Sequence, residues 1–125
     1  MKVSALNLGA CGYEQLMFAG SVAHDTEGAD NGAVLCTLPA NIIVTRAVAV
    51  VGEAFADAGT LTVGSGAEAK DLLGDEKVTA TTIGTYSEPC FAEFREETEI
   101  KAKLGGSPSA GKADIYLSVV RIPAE

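Results

Sequence analysis

From Ala33 onward, apolar residues recur at every second position in short runs, and Gly, Pro, Asn, Asp and Ser separate the runs. A period of two sends alternate side chains to opposite faces of a strand, so this pattern predicts β structure through the body of the chain. "AVLCTLPANIIVTRAVAVVGEAF" predicts two strands, Ala33 to Leu38 and Ile42 to Val51, divided by a Pro-Ala-Asn turn. In the second, Ile42, Val44, Val48 and Val50 fall on one face, interrupted by Arg46, while Ile43, Ala47, Ala49 and Val51 fall on the other. Both faces are apolar, which predicts a central strand covered on both sides.

The later runs alternate more cleanly. In "ETEIKAKLGG", Thr98, Ile100, Ala102 and Leu104 face inward, and Glu97, Glu99, Lys101 and Lys103 face water. In "GKADIYLSVVRI", Ala113, Ile115, Leu117 and Val119 form one stripe, opposite Asp114, Tyr116 and Ser118. "LTV" at 61–63 and "KVTATTIGTY" at 77–86 add two Thr- and Val-rich runs. About six β runs at this spacing predict an all-β, antiparallel single domain: a sandwich, barrel or jelly roll. Helical signal is sparse. "GAEAKDLL" at 66–73 predicts two turns, and "CFAEFREETE", with Phe91 and Phe94 at i, i+3, reads either as helix or as a loop into the next strand. Residues 1–32 are the least regular and are read as an N-terminal segment packed on, or extending from, a β-sandwich domain at 33–125; Gly28, Asp30, Asn31 and Gly32 look like a mobile turn.

Composition narrows the function. A chain of 125 residues is one domain with one core, and with 47% apolar residues, 6% aromatics and no Trp that core is built from Val, Ile, Leu and Ala. The start "MKVSALNLGACGYEQ" lacks the long apolar stretch of a signal peptide or membrane span, so the expectation is a soluble protein made in the cytoplasm, with no membrane partner. Nine Lys and Arg against 17 Asp and Glu give a formal charge of −8, which repels a phosphate backbone and argues against nucleic acid as a partner. Cys11, Cys36 and Cys90 are far apart and form no C-x-x-C pair, as expected of reduced, mostly buried thiols.

"TLTVGSGAEAKDLLG" at 60–74 raises the one question of ligand chemistry. A P-loop needs G-x-x-x-x-G-K-[ST]; here the window from Gly64 ends in Ala69, and Lys70 is followed by Asp71, a like charge set against phosphate. Gly64, Gly66 and Ala69 do match G-x-G-x-x-[GA], with Glu88 as a distant acidic partner, but the fingerprint works only inside a strand–helix–strand unit, which this pattern does not offer. The stretch reads as a strand end and a glycine turn. His24 is the only histidine, no Ser lies in G-x-S-x-G, and the acidic loop "HDTEGAD" with His24, Asp25, Glu27 and Asp30 departs from the calcium-loop pattern at its third position. Nothing in the spacing of Glu93, Glu96, Glu97 and Glu99 selects an acid–base pair. No catalytic, cofactor or metal site is expected, and the chain reads as a structural or binding protein rather than an enzyme.

The order "LPANIIVT" at 38–45, "TLTVG" at 60–64 and "GGSPSAGKADIYL" at 105–117 resembles small virion proteins of tailed bacteriophages, and within them capsid decoration, or cement, proteins. The resemblance runs from about Val34 to Ile122 and rests on a Leu-Pro-Ala-Asn turn into an apolar strand, a strand closed by glycine, and a "GSPSAGKA" hairpin before the last strand. It implies a jelly-roll-like sandwich with one or two short helical turns. It further implies a protein made in the host cytoplasm that binds the outer capsid surface, bridges neighbouring major capsid protein subunits, and sits there as a dimer or trimer. Leu16, Met17 and Phe18 in "EQLMFAG" are read as either an apolar anchor for that contact or part of the domain's own core. Two other classes stay open: another virion appendage, such as a head fibre base, a tail component or a sugar-binding host-attachment module using Tyr13, Tyr86 and Tyr116, and a small nucleotide-binding enzyme on the Gly64–Ala69 loop.

Overall fold

Every connection between successive strands among the described residues crosses from one sheet to the other. The computed structural model describes residues 14–56, 59–66, 69–74, 78–106 and 108–123. Its strands are β1 (Glu14–Ala23), β2 (Ala33–Leu38), β3 (Ile42–Glu53), β4 (Thr60–Gly64), β5 (Gly84–Phe94), β6 (Thr98–Gly105) and β7 (Lys112–Arg121), with one 3-10 turn at Ala29–Asn31. Odd-numbered strands form a four-stranded sheet in the order β1-β7-β3-β5, and even-numbered strands a three-stranded sheet in the order β2-β6-β4. All pairings are antiparallel. Leu73 adds an isolated bridge to Val63 of β4. If that bridge counts as a vestigial strand between β4 and β5, first pairs with last, second with next to last, third with third from last, and fourth with the vestige. This is the nested pairing of a jelly roll, an all-β sandwich that folds a long double hairpin over on itself.

The core lies between the sheets. Leu38, Ile42, Leu61, Leu73, Ile100, Ile115 and Leu117 are fully buried there, and each contributes about 1.5–3 kcal/mol relative to leaving it in water. The stripes predicted in β6 and β7 are the ones that pack: Ile100, Ala102 and Leu104 from one, and Ala113, Ile115, Leu117 and Val119 from the other. β3 departs from the predicted alternation. Its register slips between Val44 and Arg46 against both neighbours, where β3 has one residue more than β7 and one fewer than β5, so the buried set changes phase from Ile42 and Val44 to Ala47, Ala49 and Val51. Ile43, Val48 and Val50 therefore point away from the core, half-buried, in place of the expected second covered side.

Other expectations are revised. Residues 14–23, which the pattern left irregular, form β1 and pair with β7 along their length. "CFAEF" is neither helix nor loop but the second half of β5. Residues 78–83 are turn and coil, so the run predicted at 77–86 becomes a strand only from Gly84, and Lys77 itself lies outside the described residues. The segment "GSPSAGKA" is no hairpin, because β6 and β7 belong to different sheets and the loop carries the chain between them. The turn at Leu38–Asn41 likewise crosses between sheets, with Asn41 at φ 64°, a left-handed conformation that Asn tolerates better than most residues.

Candidate interaction surface

The phosphate question resolves within the chain. After β4, the Ser65 backbone N–H donates to Asp71 Oδ1 at 2.6 Å, and the Ser65 hydroxyl donates to Asp71 Oδ2 at 2.6 Å. The carboxylate of Asp71 thus takes the place a bound anion would need. Gly64 allows this close approach, since a Cβ there would lie 2.7 Å from the Asp71 backbone nitrogen and 2.8 Å from that of Lys70. Gly66, at φ 76°, turns the chain in the left-handed region. Among the described residues of 66–73 there is no helix: Leu72 and Leu73 bond back to Val63. Ala67 and Glu68 lie outside the described residues.

The other candidate residues are held in structural roles. The His24 backbone N–H donates to the Gly111 carbonyl at 3.0 Å, and its Nδ1 lies 3.4 Å from the same oxygen. His24, Thr26, Ala29, Asp30, Leu104 and Pro108 line an open pocket of about 240 Å³. Among the described residues no group of three His, Cys, Asp or Glu is arranged to hold a metal ion. Glu93 pairs with Arg95, and Glu96, Glu97 and Glu99 are exposed. Cys36 is buried, which pushes its thiol up to about 11, and burial also raises Cys90, whose thiol donates to the Val44 carbonyl at 3.6 Å. Cys11 and Tyr13 lie outside the described residues.

A surface does emerge, on the outward side of the four-stranded sheet. Strand alternation splits the Leu16–Met17–Phe18 trio: Met17 packs in the core at 6% exposure, while Leu16 and Phe18 point outward at 65% and 38%. Directly across the sheet, Phe18 neighbours Tyr116, which neighbours Val48, which neighbours Ser87. The rings of Phe18 and Tyr116 lie 5.4 Å apart at 60°, a favourable tilted contact that fixes both. The next row runs Leu16, Ser118, Arg46, Pro89, and Phe91 stands on the far strand at 84% exposure. With Ile43, Val50 and Val120 half-buried on the same side, an apolar band runs across the middle of the face, flanked by Glu14 and Glu93 at one end and by Asp114 at the other.

Its polar groups are tied down. The Thr45 hydroxyl donates to Glu14 Oε2 and also lies 3.2 Å from the Ser118 carbonyl oxygen, and Arg46 Nη1 donates to Ser87 Oγ at 3.0 Å. Hydrogen bonds from Thr45 and Ser118 hold the Glu14 carboxyl below the ordinary carboxylate range. Exposed apolar side chains grouped on one sheet face make it a candidate contact surface. Leu16 and Phe18, two of the three residues singled out by apolar clustering, lie on this face, and Met17 does not. Val48, Val50 and Phe91 were not singled out as surface residues, and Tyr116 only as a sugar-stacking candidate, although the doubly apolar pattern of β3 carried the signal for its valines.

The chain matches no protein-family profile and no curated protein. It is similar in structure to a chain of the capsid asymmetric unit of cyanophage Pam1, with 17% identity, a TM-score of 0.65, and 92% of this chain and 89% of that chain covered. It is also similar to a chain of the capsid of Ralstonia phage GP4, with 20% identity, a TM-score of 0.59, and 92% and 88% covered. At these identities the likeness is one of fold. It extends over most of each chain.

Proposed function

We propose that this protein is a structural virion component that binds the outer surface of a bacteriophage capsid and stabilises it by bridging neighbouring major capsid protein subunits. The observation that carries the reading is the end-to-end fold likeness to chains from two phage capsids. The apolar outward face of the four-stranded sheet supports it by offering area to bury across a seam without any chemistry. A clamp works by contact area, hydrogen bonding and shape, and interfaces of that kind concentrate their energy in aromatic and aliphatic anchors such as Phe18, Tyr116 and Leu16. The role is non-catalytic, uses no cofactor, and involves neither nucleic acid nor membrane. On the shell the protein sits as a symmetric dimer or trimer, as closed association at capsid symmetry axes requires. The nucleotide-enzyme alternative loses its basis, because Asp71 occupies the loop amide that a phosphate would use.

The test uses capsids prepared without the protein. Purified protein titrated onto them and sedimented is expected to saturate at a stoichiometry fixed by capsid symmetry, and to raise the temperature at which the shells rupture. Absence of cosedimentation at micromolar concentration would overturn the reading.

A further inference from the structure

Sheet edges expose unpaired backbone N–H and C=O groups, and each of the four edge strands here meets that liability differently. β1 and β2, joined through the 3-10 turn, lie against each other along one side of the sandwich, with Gly20 over Leu35. β4 is capped by Leu73, whose N–H donates to the Val63 carbonyl at 2.9 Å and whose carbonyl accepts the Val63 N–H at 2.9 Å. β5 is left. It is 11 residues long, pairs only with β3, and among the described residues no backbone hydrogen bond leads from it to any other element. It is also the only strand among the described residues without a fully buried residue. Natural edges are commonly guarded by Lys or Pro; β5 has no Lys or Arg but has Pro89, which offers no N–H, and it carries Glu88 and Glu93, the latter paired with Arg95 just past the strand, with Glu96 and Glu97 following in the turn.

We infer that β5 is a docking edge that accepts an extended, basic segment of the capsid partner as an added strand, beside the exposed Phe91. The inference rests on the capsid-binding reading above and names the contact within it. Backbone pairing on either side of Pro89 supplies the hydrogen bonds, Phe91 packs against a same-face side chain of the incoming strand, and the glutamates, of which Glu93 already holds Arg95, select Lys or Arg on it. The same charges argue against a second copy as the occupant, since antiparallel β5 strands of two copies would set glutamates against glutamates in a chain of net charge −8.

The measurement is amide hydrogen exchange, read by mass spectrometry on the free protein and on the protein bound to capsids prepared without it. Expected is at least tenfold slower exchange within residues 84–94 on the capsid, at a free-protein rate that does not vary with concentration. Glu88→Gln/Glu93→Gln is expected to weaken capsid binding about tenfold in low salt and less in high salt. Binding to capsids with exchange in 84–94 unchanged would overturn the docking edge while leaving the capsid-binding role intact. Protection of 84–94 in the isolated protein, growing with concentration, would overturn it in favour of a second copy. Failure to bind capsids at all would overturn both.

Discussion

The two sheets pack against each other with the same alternation and turn very different outward faces to their surroundings. The three-stranded sheet shows Thr37, Thr60, Thr62, Glu99, Lys101 and Lys103, with Val34 as the one large apolar residue at its margin. The four-stranded sheet shows Leu16, Phe18, Ile43, Val48, Val50, Phe91 and Tyr116 as a band between Glu14 and Glu93 at one end and Asp114 at the other, with Arg46 inside it hydrogen-bonded to Ser87. Folding demands nothing of either outward face, since one apolar side suffices to join two sheets. The difference lies in the large apolar and aromatic side chains, which the four-stranded face has and the three-stranded face, Val34 apart, lacks, and it is these that point to something outside the fold.

The sharpest way to break this comparison is to exchange the characters of the two faces. Leu16→Asp/Phe18→Asp is expected to weaken capsid binding by at least 100-fold, which corresponds to roughly 2.7 kcal/mol, with the far-ultraviolet circular dichroism unchanged. Lys101→Glu/Lys103→Glu on the opposite face is expected to change it by less than about threefold at physiological salt, as for charges outside an interface core. Cosedimentation titrations of both variants give the ranking, and the reverse ranking would place the contact on the wrong sheet.

Adjacent residues of β1 sharpen the inside–outside distinction. Met17→Ala should cost about 2–4 kcal/mol of folding stability in urea, as truncation of a buried side chain does, whereas Leu16→Ala should cost less than about 0.5 kcal/mol. Equal costs for the two would mean that Leu16 also serves the core.

A smaller effect belongs to the end of β4. Gly64→Ala forces a methyl group onto Asp71 and should destabilise by about 1–3 kcal/mol, the range for overpacking, while Gly52→Ala, with open space around the added carbon, should stay within about 0.5 kcal/mol.

The smallest effect is a pH dependence on the inner side of β2. Cys36 has its folded pKa raised from 9.0 to about 11, so the neutral thiol is favoured by folding. The contribution is fully present below pH 9 and is lost as pH rises toward 11, because the unfolded thiol ionises first. Stability of the wild type should fall across that window more steeply than that of Cys36→Ala, as urea midpoints at successive pH values would show; identical slopes would mean that Cys36 ionises normally.

How much of this was legible depended on whether one face alone carried the apolar pattern. β6 and β7 do, and their buried residues were named correctly from alternation. β3 does not, and the bulge at Thr45–Arg46 has no sequence mark, so its outward valines were read as core. β5 was misread because Phe91 and Phe94 sit at i, i+3. That spacing puts two residues on one face of a helix but on opposite faces of a strand, and here Phe94 packs inward while Phe91 points out. The crossing of every connection between sheets was invisible, because each strand's partners lie far away along the chain. Of the apolar face only Leu16 and Phe18 were singled out in the sequence as a capsid contact, and only the alternation of β1 separates them from Met17. The glycine turn was read correctly, and the internal carboxylate that fills it was not foreseen: Asp71 was taken only as a repulsive charge, when it is also the acceptor for Ser65.

The central claim is that the outward face of the β1-β7-β3-β5 sheet meets the shell. A cryo-electron density map of decorated capsids at side-chain resolution tests it most directly. The account predicts Leu16, Phe18 and Tyr116 buried against capsid subunits, with Lys101 and Lys103 facing solvent. A map with the three-stranded sheet on the shell, and Phe18 and Phe91 open to solvent, would contradict it.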